Sequence, residues 1–108
     1  MVTKENKVSQ ESKLRHYELV VVINPEVADE ALDGIVDNIS RQITQGGGAV
    51  DEVDRWGKRK LAYPIKHFLE GFYVLFRCKM KAASGKALEA NLRISEEVLR
   101  HLLVRTES

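Results

Sequence analysis

Three consecutive cations, Lys58, Arg59 and Lys60, stand between the rings of Trp56 and Tyr63, and Pro64 closes the run. Such residues at such spacing bind polyanions. The cations attract phosphates, and the flat rings offer faces on which a base or a guanidinium stacks. The structural reading of the same run is a solvated edge strand that uses charge to discourage aggregation. No catalytic constellation competes with it. His16, His67 and His101 fall on three separate elements, none with Cys, Asp or His at metal-ligand spacing. Cys78 alternates with Phe76 and Met80 and reads as a small apolar core residue, with no neighbouring base to activate it. Two glycine-containing runs suggest a phosphate loop and fail the test. Gly46-Gly47-Gly48 has no Gly-Lys-Ser or Gly-Lys-Thr after it, and Met80 stands where Ser84-Gly85-Lys86 needs its first glycine. The sequence therefore implies no enzyme, cofactor, metal or small-molecule substrate.

Charge is distributed to suit a binding surface. The 108-residue chain has a net charge of only +1, yet residues 26–54 carry eight acids and one base, and residues 55–108 carry twelve bases and five acids. A molecule with one acidic and one basic flank is expected, unless the halves interleave and cancel. The length suits one domain burying about two-thirds of its unfolded surface. A single cysteine excludes an internal disulfide, and no apolar run resembles a secretory signal or a membrane span, so a protein of the reducing cytoplasm is expected. Residues 1–13 are polar and read as a flexible extension, passive or adding a contact through Lys4, Lys7 and Lys13, ahead of one domain over 14–108.

Hydrophobic periodicity places the elements. Arg15 to Asn24 alternates as a strand, with Tyr17, Leu19, Val21 and Ile23 on one face and His16, Glu18, Val20 and Val22 on the other. Ala28 to Gln45 has helical period, with Leu32, Ile35, Val36, Ile39 and Ile43 as its buried stripe and acids in its first turns, where the helix dipole favours them. The glycine triplet ends it. Ala49 to Ile65 is a long strand bent at Gly57, held to a sheet edge by Pro64. Lys66 to Glu70 reads as a loop, Gly71 to Met80 as a third strand, Ser84 to Arg93 as a second helix with Ser84 near its cap, and Val98 to Arg105 as the last strand.

Strand, helix, strand, strand, helix, strand is the α+β ferredoxin-like split βαβ arrangement: a four-stranded antiparallel sheet of order 4-1-3-2 with two helices on one face. The other face is then left open with Val20, Val22, Tyr73 and Leu75 on it, a surface for a protein partner. Direct base stacking as in an RNA-recognition motif is not expected there. Glu70, Tyr73 and Val74 depart from the RNP1 pattern, and Phe72 and Phe76 suit the core better. An acylphosphatase-like site is excluded because the Asn24-Pro25-Glu26 loop has no arginine. A ligand-sensing regulatory domain that homodimerises through its sheet is the alternative.

Arg15-His16-Tyr17-Glu18, the segment Trp56-Gly57-Lys58-Arg59-Lys60-Leu61-Ala62-Tyr63-Pro64-Ile65, Gly71-Phe72-Tyr73, and Leu92-Arg93-Ile94 ahead of Val98-Leu99-Arg100-His101-Leu102 together resemble the bacterial small-subunit ribosomal protein six family. The resemblance runs from about Leu14 to Thr106. It implies a structural, ribosome-associated protein that binds the central domain of small-subunit rRNA as a heterodimer with small-subunit ribosomal protein eighteen. A nearly neutral chain gains little affinity from phosphate neutralisation alone, so a basic partner on the open face would supply missing cations. The matched positions assigned to RNA are Arg15, Lys58, Arg59, Lys60, Tyr63, Arg93 and Arg100. Arg93 also suits a helix C-terminus for dipole reasons alone. Tyr63 either stacks on RNA or covers the sheet end, and Trp56 suits packing better than stacking on a base. Only three residues follow Arg105 here, so a role of the longer C-terminal tail of some members is not expected to transfer.

Overall fold

The computed structural model describes residues 13–106. The extension read over 1–13 lies outside them except for Lys13. The elements are β1 (Arg15–Ile23), α1 (Asp29–Gln45), β2 (Ala49–Ile65), β3 (Phe68–Met80), α2 (Ala82–Ile94) and β4 (Val98–Arg105). All strand pairs are antiparallel in one sheet of order β2-β3-β1-β4, with β2 and β4 as edges. This is the ferredoxin-like arrangement expected from the sequence.

Alternation along the two central strands decides which residues make the core. Tyr17, Leu19, Val21 and Ile23 of β1 and Val74, Phe76, Cys78 and Met80 of β3 are buried against Leu32, Val36, Ile39 and Ile43 of α1 and Leu88 and Leu92 of α2. Phe76 and Leu19 are fully enclosed and directly opposite each other in the ladder. Truncating a ring such as that of Phe76 costs about 3–5 kcal/mol through lost burial and the cavity left behind. The α1 stripe follows the helical period, and Asp29 and Glu30 occupy its first turn, although the N-cap residue, Ala28, has no side-chain acceptor for the helix N–H groups.

Two local readings are corrected. The segment Lys66 to Glu70 is not a loop: β3 begins at Phe68, and only Lys66 and His67 turn the chain, both with left-handed backbone at φ 51° and 73°. Side-chain periodicity does not detect strand residues that continue past the sheet body. Helix α2 starts at Ala82, so Ser84 lies in its first turn rather than at the cap, and its hydroxyl donates to the Gly46 carbonyl at 3.2 Å. That bond ties the start of α2 to the end of α1. The glycine triplet ends α1 as its sequence implies: Gly47 is left-handed, at φ 87°, and Gly48 passes so close to the Lys79 carbonyl that a Cβ there would lie 2.2 Å from it.

The β2–β3 hairpin outreaches the strands beside it. β1 ends at Ile23 opposite Phe72, yet β2 and β3 continue pairing through Lys58 with Phe72, Arg59 with Gly71 and Lys60 with Glu70. Two irregularities shape this arm. Trp56 is an extra residue beside Gly57, whose φ of 83° suits glycine alone without strain. Between Lys60 and Ile65 the register slips again, and Pro64 sits in that slip, where no ladder bond needs its missing N–H. Where the arm leaves the sheet, Gly71 is buried, and a Cβ on it would lie 2.5 Å from Val22 Cγ1 and 3.8 Å from Leu99 Cδ1. A bare backbone at Gly71 lets β3 cross close over the end of β1.

Candidate nucleic-acid interface

The arm brings its cations to the end of the molecule where β1 and α2 finish and β4 begins. Lys58 Nζ lies 5.3 Å from the Phe72 ring centroid, and the Arg59 guanidinium lies 5.8 Å from that of Trp56. Strand alternation explains the split: Lys58 follows the core-side residue Phe72, while Arg59 lies with Trp56 on the opposite face. Trp56 packs against Tyr73, with ring centroids 6.0 Å apart and planes 11° from parallel, and its indole N–H donates to Asp54 at 3.2 Å. The indole is thus partly engaged within the chain.

Tyr63 and Arg100 meet across the arm. Arg100 Nη1 donates to the Tyr63 phenolic oxygen at 2.9 Å, and both residues surround a hollow with Val22, Leu61, Ile65 and Tyr73. Around β4, Arg100 also shares a groove of about 240 Å³ with Lys66 and Arg93. Arg93 is the basic residue of the last turn of α2. Lys58, Arg59, Lys60, Lys66, Arg93 and Arg100 have no carboxylate within ion-pair distance among the described residues. Arg55 is paired with Asp33, Arg77 with Glu18 and Glu52, and Lys79 with Asp51, whereas Arg41, Lys81 and Lys86 have no ion pair among the described residues.

Arg15 stands apart from this group. It is the first residue of β1 and pairs with Met80, eight positions from Ile23, or roughly 26 Å at the usual strand rise. Of the residues assigned from sequence, the structure brings Tyr63, Arg93 and Arg100 to one end with the Lys58–Lys60 run and leaves Arg15 at the other. Lys66 joins the group although the sequence reading passed over it. Its signal was present in a cation immediately after the Tyr-Pro-Ile turn, but its position beside Arg93 depends on the arm crossing to β4.

Val20, Val22, Tyr73 and Leu75 all lie on the sheet face opposite the helices, as the alternation requires. Their exposure differs. Val22 and Leu75 are already covered within the chain, while Val20 and Tyr73 are half-buried. Leu102, opposite Val20 in the ladder, is 55% exposed, and Val104 follows on the same face at 44%. These residues make an apolar strip bounded on one side by Arg100 and on the other by the row Glu18–Arg77–Glu52, where Arg77 donates to Glu18 at 3.0 Å and to Glu52 at 2.8 Å. Those hydrogen bonds, with Glu18 first, raise the Arg77 pKa further above its ordinary value.

The remaining reactive groups are occupied or inert. Burial, reinforced by Asp51, pushes the Cys78 thiol up to about 11, which leaves it protonated at neutral pH. His101 Nε2 lies 3.3 Å from Glu89 on the helix side of the sheet. No group of metal-binding side chains occurs among the described residues, and none of their helices is long and apolar enough to cross a membrane.

A ferredoxin-like scaffold that presents an uncompensated basic end and an apolar sheet face has the form of a structural binding module. The Ribosomal protein S6 family pattern matches residues 16–105, and the chain belongs to that family. It is 42% identical over 94 residues to the small ribosomal subunit protein bS6 of Carboxydothermus hydrogenoformans, covering 87% of this chain and 98% of that one. To the bS6 protein of Dehalococcoides mccartyi strain 195 it is 40% identical over 107 residues, covering 99% and 98%. The crystal structure of 30S ribosomal protein S6 from Thermotoga maritima superposes with a TM-score of 0.82 at 33% identity, covering 87% of this chain and 89% of the other. The family comprises structural, non-enzymatic proteins of the small ribosomal subunit in the cytoplasm, and that is the class of this chain. Membership leaves the ligand-sensing alternative without support.

Proposed function

We propose that this chain binds the central domain of small-subunit rRNA with the basic end formed by Lys58, Arg59, Lys60, Arg93 and Arg100, while its open sheet face pairs with small-subunit ribosomal protein eighteen. The observation that carries the reading is the gathering at the hairpin end of cations that lack acids, beside Tyr63, while Arg55, Arg77 and Lys79 along the sheet are matched within the chain. Cations already paired contribute little to phosphate binding, since an acid must be displaced before counterion release is gained. The apolar strip around Val20 and Leu102 supports a protein partner on the adjoining face. The chain's net charge of +1 makes a basic partner a physical advantage on a polyanion.

Mixing the chain with purified protein eighteen and measuring association by calorimetry tests the pairing. Val20→Asp and Leu102→Asp are the appropriate variants, because both sites retain exposure and each change buries an unpaired charge only when the partner docks. Loss of pairing in both is expected; normal heterodimer formation by both would reject the docking face.

A further inference from the structure

We propose that the groove between the β2–β3 turn, the end of α2 and the start of β4 is a seat for one RNA backbone phosphate, with Lys66, Arg93 and Arg100 as its donors. The inference rests on the rRNA-binding reading and adds to it a defined subsite and a residue, Lys66, that the family resemblance did not supply. Lys66, Arg93 and Arg100, from three separate parts of the chain, line one concavity of about 240 Å³ together with Leu92, Val98, Leu99 and His101. None of the three has a carboxylate partner among the described residues.

Two acids of this region have partners of their own: Glu89 lies 3.3 Å from His101, itself a lining residue of the groove, and Glu97 accepts from the Ser95 hydroxyl at 3.2 Å. Like charges brought together without an acid repel one another, so an anion between them relieves repulsion as well as adding attraction. One guanidinium nitrogen of Arg100 is already engaged. Its Nη1 is held by the Tyr63 oxygen, which leaves Nε and Nη2 as a fork for two phosphate oxygens. Lys66 is held there by a two-residue turn in which both Lys66 and His67 have left-handed backbone, a conformation that ordinary side chains rarely adopt. Positive φ at both positions is what a two-residue hairpin turn between the paired Ile65 and Phe68 requires, and it fixes where Lys66 leaves the arm.

The test is rRNA affinity measured against salt for the full chain in complex with protein eighteen. Lys66→Asn removes the charge while suiting left-handed backbone, and Lys66→Arg restores it. Removing one phosphate contact lowers the slope of log K against log salt by about 0.7–0.9, which at 0.1 M salt is about a five- to eightfold loss of affinity. That loss is expected for Lys66→Asn, with recovery in Lys66→Arg. Titrating the free chain with sodium phosphate at constant ionic strength should shift the Arg93 and Arg100 Nε–H signals together, and Lys66→Asn should weaken that response. An unchanged slope in Lys66→Asn overturns the subsite, even if free phosphate shifts both arginines. If the Lys58/Arg59/Lys60 triple alanine variant lowers the slope in the same experiment, rRNA binding by the arm stands without the groove. If neither changes, both readings fall.

Discussion

Tyr63 and Arg100 belong to the two opposite edge strands of the sheet, yet their side chains meet at 2.9 Å. The contact exists because the hairpin arm passes over the end of β1, and it couples the position of the basic arm to that of β4. Tyr63→Phe removes the acceptor but no charge. Binding to rRNA is expected to weaken about three- to tenfold, the equivalent of a hydrogen bond of ~1 kcal/mol, with the salt slope unchanged. Arg100→Ala should lower the slope as well. Parallel binding isotherms over a salt series distinguish the two effects.

Gly71 is the point of crossing. A Cβ there would lie 2.5 Å from Val22 Cγ1, on a buried, branched side chain with little room to move. Gly71→Ala is expected to destabilise the fold by about 1–3 kcal/mol, measured by urea denaturation. It should also release the arm, seen as faster amide exchange at Leu61 to Ile65. The control is Gly34→Ala, where a Cβ meets nothing within 4 Å on the exposed side of α1. There helix propensity should stabilise by about 1 kcal/mol.

His67 occupies left-handed backbone at φ 73° in the arm's turn. Substitution by glycine relieves that strain, and His67→Gly is expected to raise stability by about 1 kcal/mol in the same denaturation assay. A fall in stability would show that the imidazole makes a contact worth more than the strain.

Cys78 gives a pH signature. Its thiol pKa is raised by burial to about 11 against 9.0 for the ordinary group, so between those values the unfolded chain loses a proton that the folded chain keeps. The unfolded state is then favoured, and Cys78 lowers stability progressively as pH climbs from about 9 to about 11. The stability difference between the native chain and Cys78→Ala should be constant from pH 6 to 8 and shrink above pH 9. Below pH 8 an alkylating reagent should label Cys78 only after denaturation.

The architecture was legible because β1 and β3 alternate cleanly and α1 carries an unbroken stripe from Leu32 to Ile43. Topology then followed from element order and from Pro64, which no central strand accommodates. The arm was not legible in full. Lys66 and His67 adopt positive φ without being glycine or asparagine, so no turn residue marked them, and the strand beyond Gly71 looked like loop. The Glu18–Arg77–Glu52 row was hidden for a different reason. Its members are separated by dozens of residues and become neighbours only through the registers of β1 with β3 and of β3 with β2. That Val22 and Leu75 are covered while Val20 remains accessible also depends on side chains meeting across strands, which one-dimensional alternation does not contain.

The account depends most on the arm's cations meeting RNA phosphates. The direct measurement is the salt dependence of small-subunit rRNA binding by the complex with protein eighteen, comparing the native chain with the variant carrying Lys58→Ala, Arg59→Ala and Lys60→Ala. A decrease in slope of about 2–3 is predicted, with the thermal unfolding of the variant unaltered. Superimposable lines for the two proteins would contradict it.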